Sequence, residues 1–486
     1  MFMGGAVIAV RLLSLFGSIA LARLLAPSDF GQVALAMVLL GTTGLFVGLG
    51  MAPAVIHSDE DEHVVAFHAF IITATSGIFL FGLFSIGSRL IVDELGDVNL
   101  EIFQSLLPLV LVTAMTIVPG ALLRKNLLFG RFSLANILNE VIYFPTAILL
   151  TWLGYGVWSL IYGRLISAFI QMILLWVFNP RLLWIKPVPW DWQIFKGLLR
   201  YGLPVTGSGL VSYFHSHWDD WFVGRHFGNE ALGYYSKSYE LSNNTLSQFS
   251  SAVIANVFLP TYTKIRGEIK RVMKLYLRSL RVVLLMMTPL SLGLFVLAGE
   301  IVGVVLGPKW LPMVDTLQLY CLMAFLLPIS YNVVPLFQAL GKPQYNLYAG
   351  IVLSVVMVPL VLILSAYNYE GVAAAVVISH AVGVAYNIFM VDRLIPGTLG
   401  PTLKLMLLYL VLGGIMMAGV YFAKPFVEGY FGGTADLFAL IVLVLIGAVI
   451  YCGLIALTQW SLVVELLDMF RDVLRSRKAP VQSAVS

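Results

Sequence analysis

The chain has 486 residues, of which 60% are hydrophobic and 11% are charged, and its mean hydropathy is +0.93. A soluble domain carries about 25% charged residues, so this composition excludes a soluble enzyme or binding module. The formal net charge of +4 is small and does not indicate a nucleic-acid partner. The apolar residues gather into runs of about 20, the length that crosses a hydrocarbon core of about 30 Å. The sequence therefore predicts a polytopic helical membrane protein.

Fourteen apolar spans are predicted along the chain. They cover approximately residues 2–22, 33–55, 65–86, 104–123, 137–153, 157–178, 199–219, 231–258, 279–298, 311–338, 345–366, 370–390, 402–422 and 436–458. The first run contains Arg11 and is not followed by a small-residue cleavage site, so we expect a retained span and not a signal peptide. The two longest hydrophilic connections, around 179–198 and 260–278, are rich in Lys and Arg.

The distribution of positive charge predicts the orientation of the chain. Of its 29 Lys and Arg residues, twenty fall in connections on one side of the membrane and five on the other. The positive-inside rule assigns the richer side to the cytoplasm. Both termini are then cytoplasmic, which requires an even number of spans and agrees with fourteen.

A weak internal repeat connects the two halves of the chain. In RLLAPSDFG and RHFGNEALG, an arginine precedes a glycine by eight positions: Arg23 before Gly31, and Arg225 before Gly233. Each copy lies between two spans. The offset between the copies is 202 residues, which indicates a duplication.

A second echo pairs Gly156-Val157 at the sixth span with Gly371-Val372 at the twelfth. Six spans separate the copies, so both halves have the same orientation and are related by an axis along the membrane normal. The predicted fold class is all-α, with two pseudo-symmetric six-helix lobes followed by two extra helices. The predicted boundaries are 1–180 and 181–395 for the lobes, 396–460 for the extra helices and 461–486 for a cytoplasmic tail.

The eighth span is too polar to face lipid on all sides. Its polar residues include Lys237, Glu240, Asn243, Asn244 and Gln248. A charge at bilayer depth costs about 2.5–3.5 kcal/mol even on lenient insertion scales. Residues three apart on a helix share a face, so Lys237 can pair with Glu240. The span is expected either to line a water-filled cavity or to hold a structural ion pair between helices.

Two arginines interrupt other spans. Arg11 has about ten apolar residues on either side, so its side chain cannot reach an interface easily. It is predicted to bind an anionic substrate, the alternative being a packing contact with a backbone carbonyl. Arg164 lies about 10 Å into the sixth span at 1.5 Å per residue, and snorkelling explains it as well as substrate binding does.

Titratable residues cluster at the outer end of the seventh span, in His215-Ser216-His217-Trp218-Asp219-Asp220. His215 and His217 point about 200° apart on a helix, which disfavours a metal site. A gate, a proton relay or an interfacial cap is the preferred interpretation. The acidic segment 57–63 is interpreted as a solvated cytoplasmic turn.

Enzymatic and cofactor signatures are absent from the sequence. There is no Walker A, HExxH or GxSxG pattern, and no outer loop is long enough to form a catalytic domain. Cys321 and Cys452 lie within apolar runs and are interpreted as buried small hydrophobic residues. We therefore expect a transporter without cofactor, metal or nucleic-acid partner.

The stretch LARLLAPSDFGQVALAMV, followed by Gly48–Gly50, resembles the polysaccharide-transport family of the multidrug/oligosaccharidyl-lipid/polysaccharide exporter superfamily. Within that family the chain is most similar to the colanic-acid exporter branch of the Wzx-type oligosaccharide flippases. Further matching stretches are ALLRKNLLFGRFS (121–133), YGVWSL (155–160), GRHFGNEALGYYSKSYEL (224–241), LGPKWLP (306–312) and QALGKPQ (338–344). The basic leader that the family carries before its first span is missing here.

The resemblance implies two six-helix lobes around a central cavity. It also implies transport of undecaprenyl-pyrophosphate-linked oligosaccharide units across the bacterial plasma membrane by alternating access, for surface polysaccharide biosynthesis. The expected partners are the lipid-linked substrate, membrane lipids, and the polysaccharide polymerase and chain-length machinery.

Site residues follow from the polar positions described above. Those expected to bind substrate are Arg11, Lys237, Arg164, Asn243, Asn244 and Gln248. Those expected to couple transport to the membrane potential or an ion gradient, or to gate it, are Glu240, Asp219, Asp220 and His215. Asp219 also matches an Asp that the family commonly shows before its Gly-Arg pair.

Two alternatives stay open. A drug or cation antiporter of the same superfamily would usually have twelve spans and a cavity rich in carboxylates. A membrane polymerase or ligase acting on lipid-linked sugars would need a large outer loop with catalytic groups, and none is visible.

Overall fold

A computed structural model of the chain describes residues 2–95, 99–179, 181–244, 259–265, 267–431 and 437–459. These residues form helices joined by short connections, and no strand occurs among them. A helix satisfies its backbone N–H and C=O groups within its own segment, which a hydrocarbon environment requires. The predicted all-α fold class is confirmed.

The helices are α1 (Phe2–Leu24), α2 (Pro27–Gly48), α3 (Met51–His57), α4 (Glu62–Leu95), α5 (Leu100–Leu106), α6 (Pro108–Lys125), α7 (Phe129–Trp152), α8 (Trp158–Val177), α9 (Trp192–Tyr239), α10 (Leu259–Ile265), α11 (Ile269–Val296), α12 (Ala298–Ile301), α13 (Val314–Ala339), α14 (Gln344–Leu364), α15 (Asn368–Leu394), α16 (Leu399–Phe431) and α17 (Leu437–Thr458). Two π-helical turns span Glu240–Asn244 and Val302–Leu306, and two 3₁₀ turns span Pro308–Met313 and Ser365–Tyr367.

Each of the fourteen predicted spans falls on helical residues, the eighth being described only as far as Asn244. Ten helical stretches of the described chain are long and apolar enough to cross a membrane. This makes the chain a multi-pass membrane protein, as predicted. Helix α9 is not among the ten, in line with the polar character of its sequence. The number fourteen stays a prediction.

The connection expected between the seventh and eighth spans is itself helical. Helix α9 continues past the predicted end at Asp219, and its only non-helical residue is Gly228, with φ 83° and ψ 178°. Glycine adopts this conformation at low cost because it lacks a Cβ atom. The connection between the two spans is helical because polar residues such as Asp219 and Asp220 leave the apolar pattern without ending the helix. Two helical segments therefore meet at Gly228.

The hydrophilic segments 260–278 and 57–63 differ in their secondary structure. The segment 260–278, predicted as a hydrophilic connection, is mostly helical because α10 occupies its start and α11 begins at Ile269. The acidic segment 57–63 contains the expected turn between α3 and α4. There the Asp61 carboxylate accepts hydrogen bonds from the backbone N–H groups of His63 (2.9 Å) and Val64 (3.1 Å), which caps α4.

The chain packs as two compact units. The first contains Met1–Glu240, Val305–Thr316 and Ser354–Ser379, and the second contains Leu241–Val304, Leu317–Leu353 and His380–Ser486. The predicted lobe boundaries at 180 and 395 stay a prediction.

In the first unit, a buried apolar cluster joins α3, α4 and α6 to the start of α9 through Val55, Val65, Val118, Trp184 and Leu198. This cluster holds the segment between α8 and α9 against the ends of the other helices. It therefore positions the residues that follow α8.

In the second unit, the last two long helices pack against α11. The Tyr451 hydroxyl donates to the carbonyl oxygen of Leu285 (3.1 Å), and Lys424 pairs with Glu300 (2.6 Å). The pair with Glu300 anchors α16 to the short helix that follows α11. The two extra helices are therefore integrated into the core of this unit.

The cysteines differ in their surroundings. Cys321 on α13 is buried, as expected. Cys452 on α17 is exposed, so the expectation of burial was wrong for it. In a membrane helix an apolar sequence does not distinguish a protein-facing side chain from a lipid-facing one, because both environments are apolar.

Candidate functional site

The two copies of the repeated motif pack against each other within the first unit. A Cβ atom placed on Gly31 would overlap the backbone carbonyl oxygen of Asn229, and one placed on Gly233 would overlap the carbonyl oxygen of Pro27. Pro27 and Asn229 are themselves 202 positions apart, as Gly31 and Gly233 are. The contact is therefore reciprocal, which is what an approximate two-fold relation between α2 and the end of α9 produces. Glycine at both positions allows the close approach.

A buried charged cluster lies beside this contact. The Lys237 side chain is 3% exposed, and its Nζ atom lies 3.1 Å from Glu240 Oε2 and donates to Ser18 Oγ. The Ser18 hydroxyl donates to Glu240 Oε1 (2.6 Å). The Phe30 ring completes the surroundings of the ammonium, with its centroid 4.9 Å from Nζ. The predicted pairing of Lys237 with Glu240 is confirmed.

The two partners of this pair differ in access. The Glu240 side chain is 43% exposed, whereas Lys237 is enclosed. Counting 1.5 Å per residue, Ser18 lies about 9 Å from the end of α1. The cluster thus encloses its ammonium among oxygen atoms of Ser18 and Glu240, while the Glu240 side chain is partly exposed.

Arg164 belongs to the same region of the first unit. Its guanidinium lies over the Tyr143 ring, 5.7 Å from the centroid. Tyr143 and Phe30 pack against the same buried apolar cluster, and the Phe30 ring faces the Lys237 ammonium. The structure thus brings Arg164 into the neighbourhood of the Lys237–Glu240 pair.

The other predicted substrate residues are described in part. Arg11 lies on α1, but its side chain is outside the described residues, as is that of Asn244 in the π-helical turn. Gln248 lies outside the described residues altogether. The Asn243 side chain is buried, and its Nδ2 atom donates to Ser242 Oγ (3.2 Å). Its Oδ1 atom has no partner in the described part of the chain.

The titratable residues near the middle of α9 form three separate hydrogen-bonded pairs, each with a different partner. Buried Asp219 accepts a hydrogen bond from the Tyr235 hydroxyl (2.6 Å). Asp220 lies 3.1 Å from Nδ1 of His217. Nδ1 of His215 is hydrogen-bonded to Ser354 Oγ (2.9 Å). The two histidines thus have different partners, as their predicted directions required.

The Asp219–Tyr235 hydrogen bond joins the two segments of α9 on either side of Gly228. It connects a predicted coupling carboxylate to the helix that carries Lys237. A change in the protonation of Asp219 would alter this link, because a neutral carboxyl group accepts hydrogen bonds more weakly.

A short segment that precedes α13, here called the 305–310 strap, caps the end of α1. The Arg23 Nε atom donates to the carbonyl oxygen of Val305 (2.7 Å) and Lys309 Nζ donates to that of Arg23 (2.9 Å). The indole N–H of Trp310 donates to the carbonyl oxygen of Ala22 (2.8 Å). These donors satisfy backbone carbonyls that a helix end leaves without intrahelical partners. The strap therefore fixes the helix that carries Ser18.

Several residues of this region were missed by the sequence analysis. Ser18 and Phe30 carry no charge, and Tyr235 lies among ordinary aromatic residues. Trp310 lies near the end of a predicted span, where an aromatic residue is expected to be an interfacial anchor, yet it is fully buried. The LGPKWLP match was the one sequence signal that pointed to the strap.

The fold is that of multi-pass membrane transporters. The chain is similar to the lipid II flippase MurJ in an inward closed conformation, with a TM-score of 0.77 at 18% identity over 95% of this chain and 99% of that one. It is also similar to an inward-facing multidrug resistance MATE family transporter, with a TM-score of 0.64 at 17% identity over 80% of this chain and 94% of that one.

The family model of polysaccharide biosynthesis proteins matches residues 20–315, and the chain belongs to this family. The succinoglycan biosynthesis transport protein ExoT of Rhizobium meliloti is 24% identical over 482 residues, which is 96% of this chain and 93% of that protein. The lipopolysaccharide biosynthesis protein WzxC of Escherichia coli is 21% identical over 350 residues, which is 71% of this chain and 70% of that protein.

Proposed function

We propose that this protein is a flippase that moves undecaprenyl-pyrophosphate-linked oligosaccharide units across the bacterial plasma membrane by alternating access. Support comes from its family, from relatives named for succinoglycan transport and lipopolysaccharide biosynthesis, and from a fold shared with a lipid II flippase. Surface polysaccharide biosynthesis would consume the exported unit. Both termini are cytoplasmic in this proposal, as the distribution of Lys and Arg indicates.

The observation that carries the proposal is the charged cluster of Lys237, Glu240 and Ser18. Ionisable groups within membrane spans are costly and commonly mark a transport path. The Lys237 ammonium is enclosed, whereas the Glu240 side chain is 43% exposed. An exposed carboxylate can leave its partner, and an anionic ligand can then take its place.

In the proposed mechanism, the substrate pyrophosphate exchanges with Glu240 as the partner of Lys237. The ammonium would replace part of the hydration that the pyrophosphate loses in the membrane. Arg164 and Arg11 would supply further positive charge.

The sugar hydroxyls would bind the amides of Asn243, Asn244 and Gln248, while the polyprenyl chain stays in the lipid. Glu240 and Asp219 are the proposed coupling carboxylates, with Asp220 and His215 as gating groups. The polysaccharide polymerase and chain-length machinery are the proposed downstream partners.

Complementation of a strain that lacks this protein tests the assignment. We expect Lys237→Ala and Arg11→Ala to lower polymer export at least tenfold at normal protein levels, because each removes a charge that replaces phosphate hydration. Lys342→Ala is the matched control, since Lys342 is exposed in a connection and its loss should leave export unchanged.

Three other results would contradict the proposed function. Full export by both Lys237→Ala and Arg11→Ala would discard the assignment. Resistance to cationic dyes conferred by the wild-type protein, without restored export, would identify an antiporter. A deletion strain that still exports single units would identify a polymerase.

A further inference from the structure

A cavity of about 410 Å³ lies in the first unit, away from the charged cluster. It is formed by the start of α4, the connection between α6 and α7, and the segment that follows α8. The side chains used in the argument below are Glu62, Asn126, Arg131, Arg181 and Trp184, all of which line the cavity. The positive-inside rule places this end of the helices at the cytoplasmic surface of the membrane.

The polar groups of the cavity are mostly donors. Arg131 is fixed by a hydrogen bond from Nη1 to the carbonyl oxygen of Phe178 (3.1 Å), and the Arg181 side chain is exposed beside it. The one carboxylate, that of Glu62, accepts a hydrogen bond from the Asn126 amide (3.0 Å). Two guanidinium groups against one carboxylate leave a net positive charge.

Trp184 adds an independent indication of a ligand. Its side chain is fully buried, yet its indole N–H has no hydrogen-bond partner anywhere in the described chain. A buried donor without an acceptor is unfavourable, and native proteins rarely leave one. Because indole can only donate, the missing partner must be an acceptor. A bound anion would supply it once the side chains that cover the indole nitrogen move aside.

The backbone and the rim of the cavity fit a ligand with an apolar portion. Leu127 and Leu182, in the two bordering segments, have φ values of 57° and 49°, a strained region for leucine that is typical of ligand-binding segments. The surrounding surface is apolar, with Leu127, Phe129 and Val177 exposed to 74%, 48% and 65%. Exposed apolar side chains beside arginines are suited to the boundary between headgroups and acyl chains.

We propose that this cavity binds the phosphodiester headgroup of an anionic glycerophospholipid from the cytoplasmic leaflet. Arginine binds phosphate oxygens through paired N–H donors, and basic pockets at helix ends recognise anionic headgroups. The acyl chains would lie on the apolar rim. This site is separate from the Lys237–Glu240 pair and does not depend on the proposed transport substrate.

Native mass spectrometry of the full chain in detergent tests the proposal. The probes are cardiolipin, phosphatidylglycerol and, as a zwitterionic reference, phosphatidylethanolamine. We expect the two anionic lipids to bind at least tenfold more tightly than phosphatidylethanolamine, with little competition from inorganic phosphate. Equal binding of all three lipids, or full displacement by inorganic phosphate, would overturn the assignment to a lipid headgroup.

Single-residue variants test whether cardiolipin binds in this cavity. Arg181→Gln, which removes an exposed side chain, should weaken cardiolipin binding about fivefold, the typical effect of one basic residue near an anionic surface. Arg200→Gln is the matched control, because Arg200 is also exposed on the cytoplasmic side but does not line the cavity. Equal weakening by Arg181→Gln and Arg200→Gln would show non-specific attraction and overturn the proposal.

Two further variants test the donor set independently of overall charge. Trp184→Phe keeps an aromatic side chain but removes the indole N–H group, so it should weaken binding if that group donates to phosphate. Glu62→Gln removes the one carboxylate and should tighten binding. Unchanged binding in Trp184→Phe together with weaker binding in Glu62→Gln would contradict a phosphate in this cavity.

Discussion

The reciprocal glycine contact makes a quantitative prediction. Gly31→Ala and Gly233→Ala each place a methyl group onto a main-chain carbonyl oxygen of the opposing helix. Neither carbonyl can rotate away, so the helices must separate. Overpacking of this kind costs about 1–3 kcal/mol, and the upper end applies where backbone is the obstacle. Alanine recovers about 1 kcal/mol through its higher helix propensity. We therefore expect each variant to lose about 2 kcal/mol of unfolding free energy.

Gly44→Ala is the matched control for this experiment. Gly44 lies on the same helix as Gly31, but a Cβ atom there would meet no described atom beyond its own helix backbone within 4 Å. This variant should be neutral or more stable by up to about 1 kcal/mol. The assay is denaturant titration of the purified proteins in mixed micelles.

The double variant tests whether the two contacts form one interface. Once one alanine has moved the helices apart, the second has less overlap to relieve. The combined loss should therefore be smaller than the sum of the two single losses. The reciprocal packing would be refuted if Gly31→Ala were as stable as Gly44→Ala. It would also be refuted if the losses of unfolding free energy in Gly31→Ala and Gly233→Ala were strictly additive.

Three other hydrogen-bonded contacts make predictions for the same assay. Trp310→Phe removes the donor to the end of α1 and should cost about 1–3 kcal/mol, whereas Trp152→Phe, at an exposed site, should cost less than about 0.5 kcal/mol. Tyr235→Phe should cost about 1–3 kcal/mol of unfolding free energy. Combining Tyr235→Phe with Asp219→Asn should cost less than the sum of the two separate losses, and strictly additive losses would contradict a direct hydrogen bond. Lys424→Met leaves the Glu300 carboxylate, 12% exposed, without its cation and should cost about 3–5 kcal/mol, part of which Glu300→Gln should restore.

The sequence predicted the features that depend on local spacing. Runs of apolar residues identified the helices, and a spacing of three identified the Lys237–Glu240 pair. The arginine–glycine echo was also visible in the sequence, but the contact between its copies was not foreseen, and the duplication stays a prediction. These predictions succeeded because periodicity and composition act within one helix.

Contacts between distant helices were not predictable in the same way. Ser18 is 219 positions from Lys237, and Ala22 is 288 positions from Trp310. In a membrane, lipid and protein neighbours are both apolar, so hydropathy does not specify which helices meet. For this reason the exposure of Cys452 was also predicted wrongly.

Transport in a defined membrane tests the central claim most directly. The purified protein would be reconstituted into liposomes that contain an undecaprenyl-pyrophosphate-linked oligosaccharide, and its arrival at the opposite leaflet would be followed with a membrane-impermeant sugar-cleaving enzyme. The wild-type protein and Lys342→Ala should move the lipid-linked sugar at equal rates, while Lys237→Met should be at least tenfold slower. Equal rates for Lys237→Met and the wild-type protein, at equal reconstituted amounts, would contradict a role for the buried ammonium in carrying the pyrophosphate.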